Sequence, residues 1–222
     1  MDIEGIIFDL DGTLLDTLED IANSANSVLA SHQFPTHSLH DYRYFVGSGS
    51  VELIKRILPE DQRTDDMIRK CTHEFFETYD QYWNINTRPY VGITQLLREL
   101  KVRRLKLAVL SNKPDKFTQI SIQEWFPENT FDIILGQSNK IPRKPDPAGA
   151  FQIAKALSIS PAHFLYIGDT NTDMQTATAA GMFPVGVLWG FRSQEELENN
   201  GAKALVNHPK EILTLLNKAD AN

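Results

Sequence analysis

What the chain has little of narrows its role before any motif is considered. Among 222 residues there is one cysteine, Cys71, which excludes an internal disulfide framework and a multi-cysteine zinc site. Basic residues are outnumbered, 22 Lys and Arg against 29 Asp and Glu, for a net charge of -7. That balance argues against nucleic acid or an anionic membrane as partner, since both select basic patches. It does not argue against a small anionic substrate, which feels the local field of a cleft. No uninterrupted apolar stretch approaches membrane-spanning length. Asp2 and Glu4 stand where a secretory leader carries a basic and then an apolar region. Repeats and low-complexity segments are missing as well. The expectation is a soluble, cytoplasmic protein with no membrane or nucleic-acid partner, monomer or dimer being left open.

What is present is an alternation of two textures. Short apolar runs at 3–8, 105–110, 131–135, 164–167, 184–188 and 204–206 read as buried strands. Amphipathic segments at 92–102, 115–126, 147–157, 173–180 and 210–216 read as helices between them. The pattern predicts an α/β fold, a Rossmann-like doubly wound parallel sheet covered on both faces. From about 17 to 88 the rhythm stops: the patterns are helical and no strand is evident, and RPYVG at 88–92 looks like a return linker. This predicts an all-helical domain, residues 16–88, inserted into an α/β core of residues 1–15 and 89–222.

The segment FDLDGT, residues 8–13, poses a physical problem. A buried strand ends on two carboxylates, Asp9 and Asp11, that point the same way and disfavour each other's ionised form. Either a cation sits between them or the pair has chemical work. Gly12 lets the backbone turn and leaves N–H groups for an anion, and Thr13 adds a hydroxyl. At the ends of the other strands come Ser111 and Asn112, then Lys144 in the loop GQSNKIPRKPDP, then Asp169 and Asp173 in GDTNTD. These are the strand ends at which doubly wound sheets bind ligands. The chemistry that wants this set is phosphoryl transfer through a carboxylate. Asp9 and Asp169 offer hard oxygen ligands for Mg2+. One carboxylate attacks phosphorus to form an aspartyl-phosphate, and the other protonates the leaving oxygen. Ser111 and Lys144 hold the transferring oxygens.

In this order FDLDGTLLDT, VLSN, the lysine of RKPDP and GDTNTD resemble the four signatures of the haloacid dehalogenase superfamily of Mg2+-dependent phosphohydrolases. The resemblance spans the whole chain and implies that the inserted all-helical domain, residues 16–88, is a cap on a catalytic core. It implies Asp9 as nucleophile, Asp11 as acid/base with its carbonyl on the metal, Asp169 as metal ligand, and Asp173 behind them supporting metal water or Lys144. The dehalogenases themselves lack the second aspartate, so Asp11 points to phosphate esters. SNKP at 111–114, KPDP at 144–147 and Gly190-Phe191 look most like phosphoglycolate phosphatases. Pyrophosphatases, sugar phosphatases and beta-phosphoglucomutases share much of this pattern. A phosphate-binding regulator without turnover would be marked by loss of Asp9, Asp11 or Lys144, and all three are present.

Within the insert, Gly47-Ser48-Gly49-Ser50 precedes a helix. Two readings stand: a loop with a serine N-cap, or a set of N–H donors that, with Arg43 nearby, receives the far end of an anionic substrate. Asp173 also fits a helix N-cap, and Asp16 fits a residue that orients the chain on its way into the insert. Arg143 reads as an exposed neighbour of Lys144. The six histidines show no metal spacing. Cys71 and the aromatics Phe75, Phe76, Tyr79, Tyr82 and Trp83 read as packing residues of the insert.

Overall fold

The computed structural model describes residues 2–219. In chain order its strands are β1 (Gly5–Phe8), β2 (Leu15–Asp16), β3 (Arg88–Pro89), β4 (Lys106–Pro114), β5 (Ile133–Gln137), β6 (Phe164–Gly168), β7 (Phe183–Val187) and β8 (Ala204–Val206). Six of them form one sheet in the order β5-β4-β1-β6-β7-β8, every neighbouring pair parallel. The central strands are apolar without alternation because both faces are covered. Ile6, Phe8, Val109 and Ile167 face α5 (Ile93–Val102) and α10 (Lys210–Ala219), whereas Ile7, Ala108 and Tyr166 face α7 (Ala148–Leu157) and α8 (Asn171–Ala179). Successive crossovers leave β1 toward β4 on one side and toward β6 on the other. The order reverses there, and the crevice opens at the carboxyl ends of these three strands.

Four helices occupy the interval between β2 and β3: α1 (Leu18–Ser31), α2 (Leu39–Phe45), α3 (Ser50–Ile57) and α4 (Asp65–Tyr82). In α1, Leu18, Ile21, Ala22, Ala25, Val28 and Leu29 are buried at helical spacing and meet Cys71, Phe75 and Tyr79 of α4 in a separate apolar cluster. Phe117 of α6 (Asp115–Trp125) joins that cluster from the sheet side, stacked on Phe76 and edge-on to Tyr79. No helix among the described residues is long and apolar enough to cross a membrane.

Three details differ from the expectation. The two ends of the helical segment are joined by an antiparallel ribbon, Leu15 opposite Pro89 and Asp16 opposite Arg88, too short to leave a periodic signal. The fifth strand begins at Ile133, because Phe131 turns aside to pack edge-on against Phe8 and Phe126. A short helix, α9 (Gln194–Asn199), escaped notice because it buries only Leu197 and otherwise relies on a cap from Ser193.

The ribbon is reinforced by a residue with no motif to mark it. Asp20, buried in the first turn of α1, accepts hydrogen bonds from the backbone N–H groups of Asn86 (2.9 Å) and Thr87 (2.8 Å) and from the Thr87 hydroxyl (2.7 Å). Removing the carboxylate strands buried donors, which costs about 1–3 kcal/mol for an unsatisfied group. Asp20→Ala is therefore expected to lower unfolding stability by about 2–3 kcal/mol, as measured by urea denaturation. An unchanged midpoint would show that the return of the chain is held elsewhere.

Candidate active site

Asp9 follows β1, and its backbone N–H is bonded to Ile167 of β6 at 2.9 Å. Its Oδ1 receives the Leu10 N–H at 2.7 Å and pairs with Lys144 Nζ at 2.8 Å. Its Oδ2 has no partner among the described residues. Lys144 also reaches Asp173 Oδ1 at 2.6 Å. The other oxygen of Asp173 accepts from the Thr170 N–H (3.0 Å) and hydroxyl (2.6 Å), closing a capping box at the start of α8. The N-cap is Thr170 and Asp173 is the third residue of the helix, so the N-cap reading of Asp173 is corrected, while its contact with Lys144 fits the other reading. Asp169, at the end of β6, accepts from the Thr13 hydroxyl at 2.9 Å and the Phe191 N–H at 2.9 Å.

Oxygens of Asp9, Asp169 and Asp173 lie within 4.8 Å of one another. Asp169 and Asp173 are fully buried and Asp9 is 5% exposed. Burial, and then the neighbouring charge of Asp173, hold the Asp9 carboxyl well above the usual range against the pull of Lys144. The same two causes push Asp169 up to about 7. Burial works against the charge of Lys144, but Asp173 and Asp9 outweigh it and carry its pKa well above the usual value. Three carboxylates around one ammonium leave an excess of negative charge in a buried, all-oxygen site, and a hard divalent cation such as Mg2+ suits it. The chain presses close on this cluster. Gly12 has φ +84°, and a Cβ there would lie 2.2 Å from Asp169 Oδ2, so only glycine fits both the turn and the approach.

Asp11 has a lysine of its own. Lys113 Nζ is 2.9 Å from Asp11 Oδ1 and 2.8 Å from Tyr79 Oη of α4, and sits 4.8 Å from the Tyr79 ring centroid. Burial disfavours its charge, yet Asp11 and Tyr79 more than compensate and raise its pKa. The two aspartates of FDLDGT are therefore not stabilised by one cation between them: each pairs with a separate buried lysine. In the sequence Lys113 stands out only as part of SNKP, with no role of its own attached to it. The structure continues β4 through Pro114, with a register shift between Leu110 and Pro114, and both Ser111 and Lys113 border the same cavity.

Asp9, Asp11, Ser111, Asn112 and Lys113 line a cavity of about 50 Å³ between sheet and helices, with Gly47, Gly49 and Ser50 at one side and Phe75, Phe76 and Phe117 among its apolar walls. Lys144 approaches from behind Asp9 and lines an adjoining hollow.

Several expected phosphate contacts have other partners here. The N–H groups of Gly12 and Thr13 close the local turn onto Leu15 and Leu10, so neither is free for an anion. The Thr13 hydroxyl is buried and given to Asp169. Asn112 spends its side chain as a bracket, donating to the carbonyls of Gly47 (3.0 Å) and Lys144 (3.1 Å) and accepting from the Lys144 N–H (2.9 Å). The Ser48 hydroxyl takes a bond from Arg56, and Arg143 reaches the Ser48 carbonyl. Arg43 corrects the expectation most clearly: its guanidinium binds the carbonyls of Gly190 and Phe191 and lines a different hollow, beside Asp16 and Trp189. Nearness to Gly47 in sequence misleads because α2 turns the Arg43 side chain toward the β7–α9 loop.

Known proteins resemble this chain over most of its length. The chain is 30% identical over 203 residues to a phosphoglycolate phosphatase of Psychrobacter arcticus, covering 89% of this chain and 88% of that one. A crystal structure from Lactobacillus delbrueckii subsp. bulgaricus, provisionally assigned as a phosphoglycolate phosphatase, superposes with a TM-score of 0.90 at 31% identity, over 96% of this chain and 97% of that one. A haloacid dehalogenase-like family hydrolase of Streptococcus pneumoniae gives a TM-score of 0.88 at 25% identity, over 97% and 99%. The sequence profile of the haloacid dehalogenase-like hydrolases matches residues 6–187. The chain belongs to the haloacid dehalogenase-like hydrolases and is a phosphoric monoester hydrolase of the phosphoglycolate phosphatase-like kind.

Proposed function

We propose that the protein hydrolyses small soluble phosphomonoesters, with phosphoglycolate the favoured substrate, through phosphorylation of Asp9, with Mg2+ as cofactor and residues 16–88 acting as a cap. The observation that carries this reading is the pair Asp9 and Asp11, each with its own buried lysine, opening on one small cavity. Asp9 Oδ1 is occupied, so Oδ2 is the oxygen left to attack phosphorus. As the new P–O bond forms, the ester bond breaks and its electron pair goes to the leaving oxygen, which takes a proton from Asp11. Asp11 then accepts a proton from water as that water attacks phosphorus, and the carboxylate of Asp9 is released with inorganic phosphate. Ser111 donates to a transferring oxygen, while Lys144 holds the Asp9 carboxylate in place and adds positive charge behind it. Mg2+ held by Asp9, Asp169 and the Asp11 carbonyl would offset the repulsion between the carboxylates and the phosphate dianion.

A phosphomutase would return the phosphoryl group of Asp9 to a sugar hydroxyl instead of to water. Phosphate release from phosphoglycolate, set against isomerisation of a sugar phosphate, separates the two.

Asp9→Asn is expected to abolish turnover with the fold intact, since an amide keeps the shape but does not attack phosphorus. Asp11→Asn is expected to slow turnover by about 10²–10⁴-fold, the usual worth of general acid–base catalysis. Steady-state kinetics with circular dichroism as the folding control check both; a near-normal rate for Asp9→Asn would require another nucleophile.

Chelation is expected to remove activity, and Mg2+ to restore it. Thr13→Val, which withdraws the hydroxyl that orients Asp169, is expected to weaken Mg2+ binding about 10–100-fold, as loss of a partner behind a metal ligand commonly does. Titration calorimetry with Mg2+ measures this directly, and unchanged affinity would remove Asp169 from the ligand set.

A further inference from the structure

Every group placed so far acts on the phosphoryl end of the substrate. Of the receptor expected for the far end, Arg43 is turned onto the backbone of Gly190 and Phe191, and what the Gly47–Ser50 loop brings to the cavity carries no positive charge. Of the residues lining the cavity, one carries a positive charge, Lys113. The walls around it, Ile21, Leu53, Phe75, Phe76 and Phe117, offer no polar atom to an anion.

Lys113 Nζ has three N–H donors. Two are accounted for by Asp11 Oδ1 and Tyr79 Oη. Tyr79 accepts from Lys113, and its own hydroxyl proton has no acceptor among the described residues. One N–H and one O–H, on atoms 2.8 Å apart, are therefore available at one side of the cavity, close enough to meet the two oxygens of a single carboxylate.

The position matches the chemistry. The oxygen that leaves phosphorus must lie within about 2.6–3.2 Å of Asp11 to take its proton. In phosphoglycolate the carboxyl carbon is two bonds beyond that oxygen, each about 1.5 Å. Asp11 Oδ1 and Lys113 Nζ are 2.9 Å apart. A substrate whose ester oxygen is on Asp11 thus extends its carboxylate by the step that separates Asp11 from Lys113.

We propose that Lys113 and Tyr79 together form the receptor for the substrate carboxylate, and so make this site selective for phosphorylated short 2-hydroxy acids. The proposal rests on the reading of the protein as a phosphoglycolate-type phosphatase. Because Tyr79 comes from α4 and Lys113 from β4, the receptor is complete only when the helical segment is seated on the sheet. Tyr79 also stacks on Phe75 and meets Phe117 edge-on, which fixes its hydroxyl over the lysine.

The test compares kcat/KM for phosphoglycolate and for ethyl phosphate, which has a methyl group in place of the carboxylate, in wild type, Lys113→Met and Tyr79→Phe. The expected result is a wild-type preference for phosphoglycolate and a loss on that substrate at least tenfold larger than the loss on ethyl phosphate in both variants. Parallel losses on the two substrates would overturn the proposal, leaving Lys113 as a positioning residue for Asp11 only, while the phosphoglycolate reading stood. A wild-type enzyme with no preference for the carboxylated substrate would overturn the phosphoglycolate reading itself. Tyr79→Phe removes one hydroxyl and keeps the ring, so the comparison holds even if Lys113→Met fails to fold.

Discussion

Asp9 and Asp173 share the ammonium of Lys144, with Asp169 beside them in one buried volume, and most of the structure around the site exists to hold that arrangement. Asp9, Asp169 and Asp173 come from the ends of two neighbouring strands and the first turn of a helix, and Lys144 from a loop. Like charges so placed repel, and burial deepens the penalty, as the raised pKa of Asp169 records. The fold answers with directed donors: Leu10 N–H on Asp9, Thr13 hydroxyl and Phe191 N–H on Asp169, Thr170 on Asp173. What these donors leave uncompensated is the charge that suits a divalent cation. Parallel β1 and β6 are required because they bring Asp9 and Asp169 side by side at the carboxyl ends of two central strands.

The helical segment is tied to the same machinery. Arg43 of α2 binds the carbonyls of Gly190 and Phe191, and Arg192 returns the contact by donating to the Val46 carbonyl at 2.8 Å. The loop that receives Arg43 also supplies the N–H that orients Asp169. Asn112 joins the Gly47 loop to the Lys144 loop in the same way. Seating of the helices and orientation of the site carboxylates thus share backbone atoms, which is a physical reason for the insert to follow β1 directly.

Much of this was legible in sequence because the signals are local. Apolar runs alternating with amphipathic segments predict the parallel sheet, and a parallel sheet places Asp9, Ser111, Lys144 and Asp169 at one edge. What was not legible depends on which way a side chain turns. Thr13 and Asn112 carry the groups a phosphate would want, yet the fold gives them to Asp169 and to two carbonyls. Gly12 looks free to bind an anion, but its N–H closes the turn onto Leu15. Lys113 lies beyond the apolar run 105–110, and its partners Asp11 and Tyr79 come from distant parts of the chain. Arg43 looked near Gly47 along the chain and faces elsewhere in space. Asp20, fully committed to the returning backbone, has no motif at all.

The central claim is that Asp9 carries the phosphoryl group during turnover. Its most direct test is to acid-quench the enzyme while it is turning over phosphoglycolate with Mg2+ and to map, by peptide mass spectrometry, where a phosphoryl group is attached. The account predicts the label on the peptide containing Asp9 in wild type, and none in Asp9→Asn. A label on another residue, or a label that persists in Asp9→Asn, would contradict it.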